Sequence, residues 1–110
     1  AREMIDIKKE SYLQVKEAAL WMKENTLSGE VIISNSIPQT MYYSDRPVYM
    51  MDKFNEKEIL AKNPKYLVVS IYEKSPEWFY AYPEKNNLKP VRIYTLDGKM
   101  PSLVIYQMRS

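Results

Sequence analysis

The sequence predicts a small α/β domain: a three-layer sandwich with a mainly parallel sheet of strand order 2-1-3-4-5 and a C-terminal antiparallel hairpin. Three observations lead there. Helix-like and strand-like segments alternate along the 110 residues. The run Tyr66-Leu-Val-Val-Ser-Ile-Tyr72 is apolar on both alternating faces, as a strand covered by helices on both sides must be. Asp97-Gly98 separates two β-rich runs, the turn signature of a hairpin. The length fits one domain spanning residues 1–110.

Taken in order, Ser11-Tyr-Leu-Gln14 has the spacing of a capping box and predicts a helix to Asn25. Tyr12, Val15, Ala19 and Met22 recur at intervals of three and four and form its apolar stripe. Val31-Ile-Ile-Ser34 reads as a short buried strand. Ser36 can cap a helix reaching Tyr43, because Pro38 costs nothing in a first turn whose N–H groups are unpaired anyway. Arg46-Pro47 breaks that helix, and Val48 opens a second strand to Met51. Asn55 begins a third helix that stops before Asn63-Pro64. After the strand over 66–72, Ser75-Pro76 opens an aromatic helix. Residues 91–96 and 102–108 are the hairpin strands, joined by a loop longer than two residues. Alternation of this kind implies parallel strands joined by right-handed crossovers.

Composition excludes several chemistries. With no cysteine and no histidine, disulfides, thiolate nucleophiles and imidazole bases are impossible, and zinc sites nearly so. A net charge of +2 gives no overall basic excess that would indicate nucleic acid as a partner. No apolar run approaches the length of a membrane span. Asp45, Asp52 and Asp97 fall at expected turns, and Glu56 and Glu58 in a helix's first turn, so no metal site is expected.

An open α/β sheet binds ligands beyond the carboxyl ends of its strands, where the winding reverses. That crevice would hold Ser34, Asn35, Ser36, Tyr72 and Glu73. Its loop lacks the glycines of a phosphate cradle, and no nucleotide motif exists. A phospho-receiver would need carboxylates where Ser34-Asn35 and Ser70-Ile-Tyr72 stand. Trp78 and Tyr80 could stack on a sugar or sit at a membrane interface, whereas Trp78, Phe79 and Tyr82 also have the spacing that docks a helix on a sheet. In Tyr42-Tyr43, one ring is expected under the sheet and its neighbour away from it.

Several phrases resemble a known family. They are Glu17-Ala-Ala-Leu-Trp-Met-Lys-Glu-Asn25, Gly29-Glu-Val-Ile-Ile33, Tyr42-Tyr43-x-x-Arg46-x-Val48, Lys65-Tyr-Leu-Val-Val69, Leu88-Lys-Pro-Val91 and Val104-Ile-Tyr106. Together they are similar to the soluble C-terminal domain of multi-pass GT-C membrane glycosyltransferases, the archaeal and bacterial relatives of dolichyl-phosphate-mannose protein mannosyltransferases. The resemblance implies a fragment of a larger membrane protein, anchored by an upstream region and exposed on the extracytoplasmic face. It implies a parent enzyme that takes a polyprenyl-phosphate-linked sugar as donor in protein glycosylation. Catalytic acids of that family lie in a loop near the first membrane helices, so no catalytic residue and no cofactor transfers to this chain. Expected partners are the transmembrane region of the same polypeptide and a glycan or lipid-linked sugar. Tyr42, Tyr43 and Arg46 match the family phrase and are read as a helix-to-strand turn. The alternative expectation is a free-standing soluble α/β protein binding a small molecule at the crevice, or a protein-interaction module pairing through an edge strand.

Overall fold

A computed structural model describes residues 7–35, 37–50, 56–96 and 98–109. The elements are α1 (Ile7–Glu24), β1 (Ile32–Ser34), α2 (Ile37–Ser44), β2 (Val48–Tyr49), α3 (Glu56–Ala61), β3 (Tyr66–Ser70), α4 (Glu77–Lys85), β4 (Lys89–Leu96) and β5 (Met100–Gln107). Among the described residues they build a small mixed α/β domain with one five-stranded sheet and four helices. The expected element order holds, but α1 begins four residues before Ser11, so that serine is inside the helix and caps nothing. The expected cap at Asn55 lies outside the described residues, as do Met51, Asp52 and Asp97.

Neighbouring strand residues point to opposite faces, and the core divides accordingly. Ile32, Val48, Tyr66, Val68, Leu103 and Ile105 pack with Val15, Ala18 and Met22 of α1. Ile33 and Leu67 pack with Ile59 of α3 and with Phe79 and Tyr82 of α4. Of the predicted α1 stripe, Val15, Ala19 and Met22 are buried and Tyr12 is exposed.

Strand order is β2-β1-β3-β5-β4, which corrects the predicted 2-1-3-4-5. The sheet is mixed and not mainly parallel: β1 pairs in parallel with β2 and β3, while β5 is antiparallel to both β3 and β4. The chain leaves α4, skips one place, lays down β4 at the edge and returns β5 into the gap. Composition explains the exchange. β5 carries Leu103 and Ile105, both fully buried, whereas β4 carries Lys89, Pro90 and Arg92 on an exposed strand. Charges and proline are tolerated at an edge and not in the middle of a sheet.

The β4–β5 ladder steps twice, passing over Val91 on β4 and Ser102 on β5. An extra residue of this kind bends its strand and re-aims a side chain. Val91 therefore reaches the α1-side core, and Ser102 is buried beside Leu103.

With only two glycines in the chain, helix ends rely on other residues. Asp45 (φ 56°), Asn63 (φ 49°) and Asn87 (φ 52°) take the left-handed conformation just past α2, α3 and α4. Short polar side chains tolerate that conformation better than others. After α4, the Leu88 N–H donates to the Pro83 carbonyl at 2.9 Å, closing the chain reversal into β4.

The end of α1 is held by Arg46. Its Nε donates to Thr26 Oγ1 at 2.9 Å, and its Nη2 donates to the Lys23 and Thr26 carbonyls at 3.1 and 3.0 Å. A planar guanidinium satisfies several orphan carbonyls that an ammonium on a single stem cannot reach together. Arg46→Lys is expected to lower unfolding free energy by about 1–2 kcal/mol, read as a reduced denaturant midpoint.

The C-terminal segment is tied down through Glu30. One carboxylate oxygen accepts from the Leu27 N–H and the other from Arg109 Nη2, both at 2.7 Å. The Leu27 amide first, then the Arg109 guanidinium, hold this carboxyl below the usual carboxylate range against the opposing effect of partial burial. A depressed folded-state pKa adds stability above the unfolded value, and that stability is lost as pH falls through the folded one. Glu30→Gln is therefore expected to flatten the loss of stability between about pH 5 and pH 3, measured by denaturant titration at each pH.

Candidate functional site

The reversal of winding falls between β1 and β3, because β1 leads outward to β2 and β3 leads toward the other edge. Beyond their carboxyl ends the structure brings Ser34 and Asn35 together with Ser70 and the segment after it. Asn35 is only 6% exposed. Its Nδ2 donates to the Ser70 carbonyl at 2.9 Å and to Ser75 Oγ at 3.0 Å. Its Oδ1 accepts from the Ser70 N–H and the Ser70 hydroxyl, both at 3.3 Å. The amide thus extends the pairing of β1 with β3 beyond its last backbone pair, Ser34 with Val68. Ser34 Oγ faces Thr40 Oγ1 of α2 at 3.4 Å. Ser36 lies outside the described residues.

Tyr72 takes a different direction, toward α1. Its hydroxyl donates to Gln14 Oε1 at 2.9 Å. The same oxygen lies 2.6 Å from the Ser102 hydroxyl, and Gln14 Nε2 donates to the Thr95 carbonyl at 3.1 Å. One buried glutamine therefore joins α1 to the segment after β3 and to both hairpin strands. Sequence reasoning placed Gln14 in a capping box and missed this role. The available signal was its position beside Val15 and Ala18 on the inward side of α1.

Of the aromatic residues on α4, Trp78 is half-buried against the core made by Phe79 and Tyr82. Tyr80 is exposed, with its ring edge-on to Phe79, and its hydroxyl donates to the Glu73 carbonyl at 2.8 Å. Toward the C-terminal end of α4, Pro83, Glu84, Asn87, Leu88 and Tyr106 line an open surface cleft of about 390 Å³.

Tyr42 and Tyr43 depart from expectation, since neither lies under the sheet. Tyr42 is 79% exposed. Tyr43 is half-buried against α1, where its hydroxyl meets that of Tyr12 and the Lys16 ammonium stands 5.3 Å above its ring. The bond from Tyr12 first, then burial, raises the Tyr43 pKa, so the phenol is neutral at physiological pH. Arg46 is the helix-to-strand brace described above. Among the described residues, no three acidic side chains gather into a metal-binding group.

Asn35→Ala removes the partners of a buried N–H and a buried carbonyl at Ser70. It is expected to cost about 2 kcal/mol in chemical denaturation. Asn35→Asp, which forfeits both Nδ2 donors and buries a charge, should cost more.

No protein-family model, curated protein or solved structure matches this chain.

Proposed function

We propose that the chain is a non-catalytic, extracytoplasmic accessory domain of a membrane glycosyltransferase that uses a polyprenyl-phosphate-linked sugar, and that it helps recognise the acceptor or glycan. One observation carries the binding part of this reading. The polar groups of the switch-point crevice bond to one another through Asn35, while tyrosine rings stand exposed on the helices, at Tyr42 on α2 and Tyr80 on α4. Rings with an apolar face and a polar edge suit sugars and membrane interfaces. The glycosyltransferase part is supported by the family phrases, each of which falls on one element or junction. Gly29-Glu-Val-Ile-Ile33 enters β1, Tyr42-Tyr43-x-x-Arg46-x-Val48 is the turn from α2 to β2, and Lys65-Tyr-Leu-Val-Val69 is β3 with its leading residue. Anchoring would come from the upstream polypeptide, because no helix among the described residues is long and apolar enough to cross a membrane.

The coding sequence upstream of Ala1 should contain several apolar spans of about 20 residues with an acidic loop after the first. A start codon directly before Ala1 would overturn the membrane reading and favour a soluble ligand at the crevice. In titrations with lipid-linked or free glycan, Tyr80→Ala should weaken binding while leaving the fold unchanged by circular dichroism; undiminished binding would reject the α4 aromatic surface.

A further inference from the structure

The charges of α1 are sorted by side. Lys9, Lys16 and Lys23 recur every seven residues, and so do Glu10, Glu17 and Glu24. Seven residues are nearly two full turns, so each set forms its own stripe along the helix. The contacts of Lys16 and Tyr12 with Tyr43 turn the lysine stripe toward α2. α2 itself has no charged residue. Arg46 adds a further cation at the end of this face, where it donates to the Lys23 carbonyl, and Asp45 stands beside it. The α1–α2 face therefore combines a row of cations about 21 Å long with three tyrosines, although the net charge of the whole chain is only +2.

The rings are fixed relative to one another. Tyr42 and Tyr43 meet at 89° with centroids 4.9 Å apart, and Tyr12 and Tyr43 at 80° and 6.1 Å. Successive nucleic-acid bases need ring faces on which to stack in sequence. Perpendicular rings do not provide that. They do leave one ring, Tyr42, 79% exposed and edge-on to Tyr43, the ring that Lys16 covers and whose hydroxyl meets that of Tyr12. A pyranose has an apolar face of C–H groups and a rim of hydroxyls, and a carboxylate on it would pair with the lysines.

We propose that the α1–α2 face binds an acidic carbohydrate, with a sugar ring stacked on Tyr42 and its carboxylates paired with Lys16 and Lys23. The proposal rests on reading the chain as a glycan-recognising domain and names the ligand class and the surface.

Isothermal titration with a short oligogalacturonate, and with the same oligomer methyl-esterified, tests it. The acid form should bind, weaken as salt is raised, and bind more tightly than the ester. Tyr42→Ala should weaken binding about fivefold. Lys16→Gln combined with Lys23→Gln should weaken it and flatten the salt dependence. Absence of binding, equal binding by the variants, or tighter binding of an oligouridylate would overturn the proposal. Neutral-glycan binding untouched by these substitutions would reject this face and leave the accessory-domain reading standing. An upstream sequence without membrane spans would reject only the membrane reading.

Discussion

The antiparallel strand β5, wedged between β3 and β4, is the constraint on which the rest of this structure depends. It supplies Leu103 and Ile105 to the core against α1, and its alternate residue Tyr106 to the face against α4. Gln14 secures it from above by meeting Ser102 while holding Thr95 of β4 and Tyr72 after β3. The step in the ladder at Ser102 makes that junction possible, because a regular strand would aim Ser102 and Leu103 to opposite faces. A polar residue in the core is acceptable here because each atom of the amide has a partner.

The remaining polar work is structural punctuation. Asn35 carries β1–β3 pairing past the strand ends, Arg46 closes α1, and Glu30 anchors the tail through Arg109. At the usual ligand position of an open α/β sheet, the Asn35 amide is engaged by Ser70 and Ser75. Under the proposed reading, recognition would fall to helix surfaces, where Tyr42 is exposed beside the Tyr12–Tyr43 contact that joins α1 to α2.

The sequence by itself determined the chain order and type of every described element, since period, breaker residues and the Asp-Gly pair are local signals. It also determined the inward positions Val15, Ala19, Met22, Phe79 and Tyr82, which follow from helical spacing. The tertiary structure alone decided which hairpin strand took the central place. Either strand of a hairpin can face β3, and the choice turned on the burial of Leu103 and Ile105 against the exposure of Lys89, Pro90 and Arg92. It likewise decided the start of α1, where a capping-box pattern lost to continued helix. It also decided what the residues of the expected crevice bond to, because only the folded contacts with Ser70, Ser75 and Thr40 show the polar groups of Asn35 and Ser34 to be engaged. The sorting of lysines and glutamates on α1 was present in the sequence as two seven-residue repeats. Its meaning waited on α2, because only packing reveals which stripe lies beside the tyrosines.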